Sequence, residues 1–184
     1  MSSQHYLLSV TGKDRPGIIA KVTGVLFRFD INLEDISMTI LEGEFAMMLI
    51  VAIPGQRDFK AVAKGIQTAV KPWSLHLDWQ PLRRRLKRGE RHSRTSQSCM
   101  LNVIGPDRTG IIYPISRLLA QNGINITDLN SRILGEGKKA VYASNFEIDI
   151  PKRIPLTRLE SKLRKLATGL KMDLSLAPVE AILF

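Results

Sequence analysis

Hydrophobic positions along the chain change period in a fixed order, and they do so twice. Tyr6, Leu8 and Val10 alternate with other residues from His5 to Thr11, the spacing of a half-buried strand, and Gly12 ends the run. From Ile18 onward Ile19, Val22, Val25, Leu26 and Phe29 recur at helical spacing. Asp14 is placed to cap that helix, Pro16 suits a first turn and Asp30 closes it. Ile36, Met38 and Ile40 alternate again, Glu42, Gly43 and Glu44 make a turn, and Phe45, Met47, Leu49, Val51 and Ile53 alternate once more, which predicts a hairpin. After Pro54 and Gly55, the residues Phe59, Val62, Ala63, Ile66 and Val70 line one helical face, and Leu75, Leu77 and Trp79 form a last strand. The predicted order is βαββαβ.

The second half repeats it. A strand runs near Met100 to Ile104, a helix carries Ile111, Ile112, Ile115, Leu118 and Leu119, and a hairpin turns at Gly135, Glu136 and Gly137. Leu156, Leu159, Leu163, Leu166 and Leu170 mark a second helix, and Met172, Leu174 and Leu176 a final strand before the apolar tail over residues 178–184. Sliding the chain against itself by 93 residues aligns Val10–Ile19 with Val103–Ile112, and 11 of the 28 positions from 10 to 37 are identical. Two copies of one fold follow. Right-handed crossovers turn βαββαβ into a four-stranded antiparallel sheet with both helices on one face, an α+β ferredoxin-like domain. Pro114 falls where the helix's first interior donor belongs, so the second copy is expected to have a distorted loop or first turn.

Charge locates the joint between the copies. Of the net +10, +6 sits in residues 83–97, where Arg83, Arg84, Arg85, Lys87, Arg88, Arg91 and Arg94 face one acid, Glu90. We therefore expect a domain over 1–82, a solvated basic linker over 83–97 and a second domain over 98–184. No run of 18 apolar residues is present and no signal peptide is visible, so the expectation is a cytoplasmic protein without a membrane role. Cys99 is a lone cysteine, expected as a buried thiol, and His5, His76 and His92 have no metal-ligand spacing. Met38, Met47 and Met48 sit on strands as core or sheet-face residues. No catalytic motif, metal site or cofactor site is expected, and an enzyme is not the reading.

Gly12-Lys-Asp-Arg-Pro-Gly-Ile-Ile and Gly105-Pro-Asp-Arg-Thr-Gly-Ile-Ile, followed by Ile31-Asn32 and Ile124-Asn125, resemble the signature of ACT domains. The tandem arrangement is similar to the glycine cleavage system transcriptional repressor family of amino-acid-binding proteins. The resemblance implies a ligand between neighbouring domains, the first loop of one facing the second-strand start of another. Gly12–Gly17 would then pair with Asn125, and Gly105–Gly110 with Asn32.

The chemistry of such a site can be argued from the residues. An amino acid buries a carboxylate and an ammonium, and each needs a partner. Backbone N–H groups at a helix start, bared by Gly17 before Ile18 and by Gly110 before Ile111, suit the carboxylate. Asn32, Asn125, Asp14 or Asp107 suit the ammonium. Each has a plainer alternative. Gly12, Gly17, Gly105 and Gly110 can serve turns or close packing, Asp14 and Asp107 can cap helices, Arg15 and Arg108 can be surface charges, and the asparagines can hold turns. The function expected is regulatory: a chain sensing a small amino acid, glycine or serine by resemblance, and acting through a protein partner such as a transcription activator. A homodimer is expected from the open sheet. The alternative is a nucleic-acid-binding regulator using the Arg-rich linker, aided by Lys152, Arg153, Arg158, Lys162, Arg164 and Lys165, through salt-sensitive backbone contacts.

Overall fold

A computed structural model of the chain describes residues 3–83, 95–137 and 140–179. Most of the expected basic linker, with His92, lies outside the described residues, as does the tail beyond Val179. The chain divides into two compact units, residues 1–88 and 89–184.

In the first unit β1 (Ser3–Lys13), α1 (Ile18–Arg28), β2 (Asn32–Leu41), β3 (Glu44–Pro54), α2 (Phe59–Val70) and β4 (His76–Leu82) follow one another, with a 3-10 turn at Lys71–Trp73 before β4. The second unit has β5 (Ser96–Pro106), α3 (Ile112–Gln121), β6 (Asn125–Leu134), β7 (Val141–Pro151), α4 (Leu156–Gly169) and β8 (Asp173–Pro178). Strand orders are β2-β3-β1-β4 and β6-β7-β5-β8, every neighbour antiparallel. This is the expected ferredoxin-like sheet, twice over.

Alternation decides which strand residues are buried. Tyr6, Leu8 and Val10 register with Val51, Leu49 and Met47, and all six join Val22, Val25, Val62 and Ile66 of the helices in one core. Cys99, Leu101 and Val103 do the same with Ile148, Phe146 and Ser144 against Ile115, Leu119, Leu159 and Leu163. Each fully buried aliphatic side chain contributes about 1.5–3 kcal/mol, so two small cores, not crosslinks, hold the units together. Tyr6, Phe59 and Trp79 close the end of the first core, Tyr6 and Phe59 stacked at 4.4 Å and Trp79 edge-on to both.

The structure corrects three local expectations. β1 does not end at Gly12; the ladder to β3 carries it through Gly12, paired with Phe45, to Lys13. β5 begins at Ser96, inside the stretch expected as linker. Pro114 does not distort the helix: it is the third residue of α3, where its missing N–H would have no intrahelical partner, and α3 runs unbroken, starting one residue later than α1. Beyond the aligned stretch the copies differ in length. Gly12 pairs with Phe45 and Gly105 with Tyr142, so the offset grows from 93 to 97 across the hairpin. The first hairpin turns tightly at Glu42 and Gly43, both at positive φ (49° and 79°), as a two-residue primed turn requires. The second adds four residues between β6 and β7.

Candidate functional site

The loop after the first strand is built the same way in both copies. Gly17 stands at the N-cap of α1 in the left-handed region, φ 97°, with no side-chain cap. Gly110 has φ 83°, and α3 starts at Ile112 with Ile111 as N-cap, again without a side-chain cap. Asp14 and Asp107 therefore do not cap. Their main chains do other work: the Asp14 N–H donates to the Gly43 carbonyl at 2.8 Å and the Asp107 N–H to the Ala140 carbonyl at 3.2 Å. Each loop is thus hung from the tip of its own hairpin, with the carboxylate side chain exposed.

Around this frame the candidate residues separate by role. Gly17 and Gly110 are needed for their backbone conformation whether or not a ligand is present. Gly12 and Gly105 are packing positions: a Cβ would come within 2.8 Å of Leu75 Cδ2 and 2.6 Å of Met172 Sδ. Ile18 and Ile111 are core residues, 1% and 3% exposed, so only their main chains can meet a ligand. Arg15 lies 5.5 Å from the Trp73 ring, which Lys21 also covers at 4.7 Å, while Arg108 donates to the Leu170 carbonyl at the end of α4. Both arginines are engaged by their own unit.

Asn32 and Asn125 open β2 and β6 as exposed residues, each just ahead of a strand irregularity. Within one copy the structure does not bring them to the loop. Asn32 pairs with Ala52, which pairs with His5, seven residues along β1 from Gly12 and hence roughly 23 Å of strand away. Asn125 pairs with Asp149, itself opposite Ser98, at the same remove from Gly105. A site using both motif halves needs two domains.

Asn125 is also part of a groove of about 470 Å³ whose other lining residues include Tyr113, Ser116 and Arg117 of α3, with Ile124 and Ile126. None of the three α3 residues was singled out from the sequence. The remaining chemistry is structural. Burial pushes the Cys99 thiol up from its ordinary range, and His5 Nε2 lies 3.7 Å from Glu34 Oε1. Among the described residues no group of three His, Cys, Asp or Glu could hold a metal ion, and no helix is long and apolar enough to cross a membrane.

The ACT domain family model matches residues 4–80 and again 97–177. The chain belongs to the ACT-domain family. Among curated ACT relatives, a UPF0237 protein of Methanosarcina mazei is 39% identical over 54 residues, 29% of this chain and 59% of that protein. One from Methanocaldococcus jannaschii is 39% identical over 64 residues, 34% of this chain and 71% of that protein. The chain thus spans about three fifths of the length of the first of these relatives. Two solved structures share the tandem ACT fold over 97% of this chain. One is a protein of unknown function from Galdieria sulphuraria (TM-score 0.81, 23% identity, all of that chain). The other is a proposed glycine cleavage system transcriptional repressor (TM-score 0.68, 17% identity, 99% of that chain).

Proposed function

We propose that the chain is a non-catalytic regulator that binds a free α-amino acid where two ACT domains meet, drawn from one chain or from two. The observation that carries this reading is the pair of uncapped helix starts behind Gly17 and Gly110, each held open by a left-handed glycine and braced from its hairpin. First-turn N–H groups without a side-chain cap take a carboxylate and the helix dipole favours it. Asn32 or Asn125 of the facing domain accepts from the ammonium. Binding that favours one arrangement of domains transmits the signal to a protein partner, and the likeness in fold to a proposed glycine cleavage system transcriptional repressor supports amino-acid metabolism as the process controlled. A homodimer gives each loop a facing domain.

The test is a thermal-shift panel of the twenty amino acids on the whole chain, with Asn32→Ala and Asn125→Ala alongside. A ligand at about a hundredfold excess over its Kd adds roughly 2.7 kcal/mol to the folded state. A saturable rise for one or two amino acids, glycine or serine by the family resemblance, weakened by either substitution, supports the reading. A flat panel refutes it.

The alternative, a nucleic-acid contact through the basic linker, draws less help from α4 than its composition promises. Arg164 is bound to Glu160 at 2.7 Å and Lys162 to the Asn122 side chain at 3.0 Å. Binding of a random-sequence DNA duplex at physiological salt would favour it.

A further inference from the structure

The two copies set different chemistry around their second-strand asparagines. At the 93-residue offset Tyr113, Ser116, Arg117 and Ala120 correspond to Ala20, Thr23, Gly24 and Phe27. In the second unit the groove beside Asn125 therefore holds a cation and two hydroxyls. In the first, the matching positions hold no charge: Gly24 fronts open space and Phe27 is 85% exposed. The cross-strand partners differ as well. Ala52 stands opposite Asn32, but Asp149, only 8% exposed, stands opposite Asn125.

Arg117 is exposed and has no ion-pair or hydrogen-bond partner among the described residues. A guanidinium that is not spoken for, at the side of a ligand-sized groove, is suited to a carboxylate it can grip with two parallel hydrogen bonds. On the amino-acid reading above, the α-carboxylate is assigned to a motif loop and the ammonium to Asn125. A glycine or serine carries no second carboxylate to place on Arg117. We infer that the Asn125 groove takes the side chain of an acidic amino acid, aspartate or glutamate, with its carboxylate on Arg117. This rests on the amino-acid reading above and changes the ligand it names.

The experiment is calorimetric titration of the whole chain with matched pairs of equal size, L-aspartate against L-asparagine and L-glutamate against L-glutamine, with glycine and L-serine as further probes. One acid is expected to bind at least about tenfold more tightly than its amide, the ratio of one charge-assisted contact. Arg117→Ala brings the pair within about twofold, and Arg117→Lys keeps part of the preference. Gly24→Glu, placed at the matching position of the first copy where nothing lies within 4 Å, leaves it intact. Because Arg117 is exposed, these variants are expected to melt like the parent. Glycine or serine binding with no preference for the acids, or a preference that survives Arg117→Ala, overturns this inference and leaves the amino-acid reading standing. Silence from all six probes in titration and all twenty in the thermal panel overturns both.

Discussion

Two helical glycines in the first unit look alike in sequence and differ in what surrounds them. A Cβ added at Gly24 in α1 meets nothing within 4 Å, whereas one added at Gly65 in α2 meets Val25 Cγ1 at 3.1 Å and Phe29 Cε2 at 3.2 Å. Both positions gain about 0.5–1 kcal/mol from Gly→Ala, because alanine has less backbone freedom to lose on folding. At Gly24 nothing opposes that gain, so Gly24→Ala is expected to stabilise by the full amount. At Gly65 the new methyl presses on Val25, fully buried between the helices, and overpacking of this kind costs about 1–3 kcal/mol. Gly65→Ala is therefore expected to end at or below the parent, with at least about 1 kcal/mol between the two variants. Trp73 and Trp79 are the two tryptophans of the chain and both lie in the first unit, so urea unfolding followed by tryptophan fluorescence reads that unit alone. The midpoint should rise for Gly24→Ala and not for Gly65→Ala, with the slope unchanged in both. Equal stabilisation would mean that the helices can part at no cost, and the packing argument would fail.

Three further residues carry expectations of their own. The Ser144 hydroxyl is buried with no hydrogen-bond partner among the described residues, so Ser144→Ala should raise the second unit's melting transition by about 1 kcal/mol, read by calorimetry. Cys99 should resist a disulfide reagent in the native protein at pH 8 and react at once in urea. Its raised folded-state pKa makes its contribution whole below the ordinary 9.0 and lost as pH rises through the folded value, so the second unit should weaken toward alkaline pH and Cys99→Ala should flatten that trend. Lys21→Met removes the ammonium 4.7 Å from the Trp73 ring and should lower the first unit's stability by about 0.5 kcal/mol in the same fluorescence assay.

The order of elements could be read from the chain because each strand and helix buries one face, and a face leaves its period in the sequence. What could not be read depended on partners far along the chain. Gly12 looks like a stop, yet the ladder to Phe45 runs straight through it. Asp14 looks like a cap, yet the left-handed turn at Gly17 starts the helix beyond its reach and the Gly43 carbonyl claims its N–H. Ile18 and Ile111, named with the ligand loop, belong to the cores. Arg117 looks like one more surface charge until the fold sets it beside Asn125. Laying the copies over each other sets Gly24 against Arg117 and Ala20 against Tyr113, but only one of the eleven positions from 20 to 30 is identical, so the difference does not stand out there.

The bond from each motif loop to its hairpin tip joins main chain to main chain, donated from Asp14 to Gly43 in one unit and from Asp107 to Ala140 in the other. No side chain takes part, so the tie survives a change of residue at the acceptor and a hairpin four residues longer. A duplicated protein with that arrangement can let one copy drift in what it recognises while the other keeps the shared scaffold, and the cost of experiment falls on side chains that the fold does not depend on. The two halves are in this sense free to diverge on their surfaces while their main-chain framework stays the same.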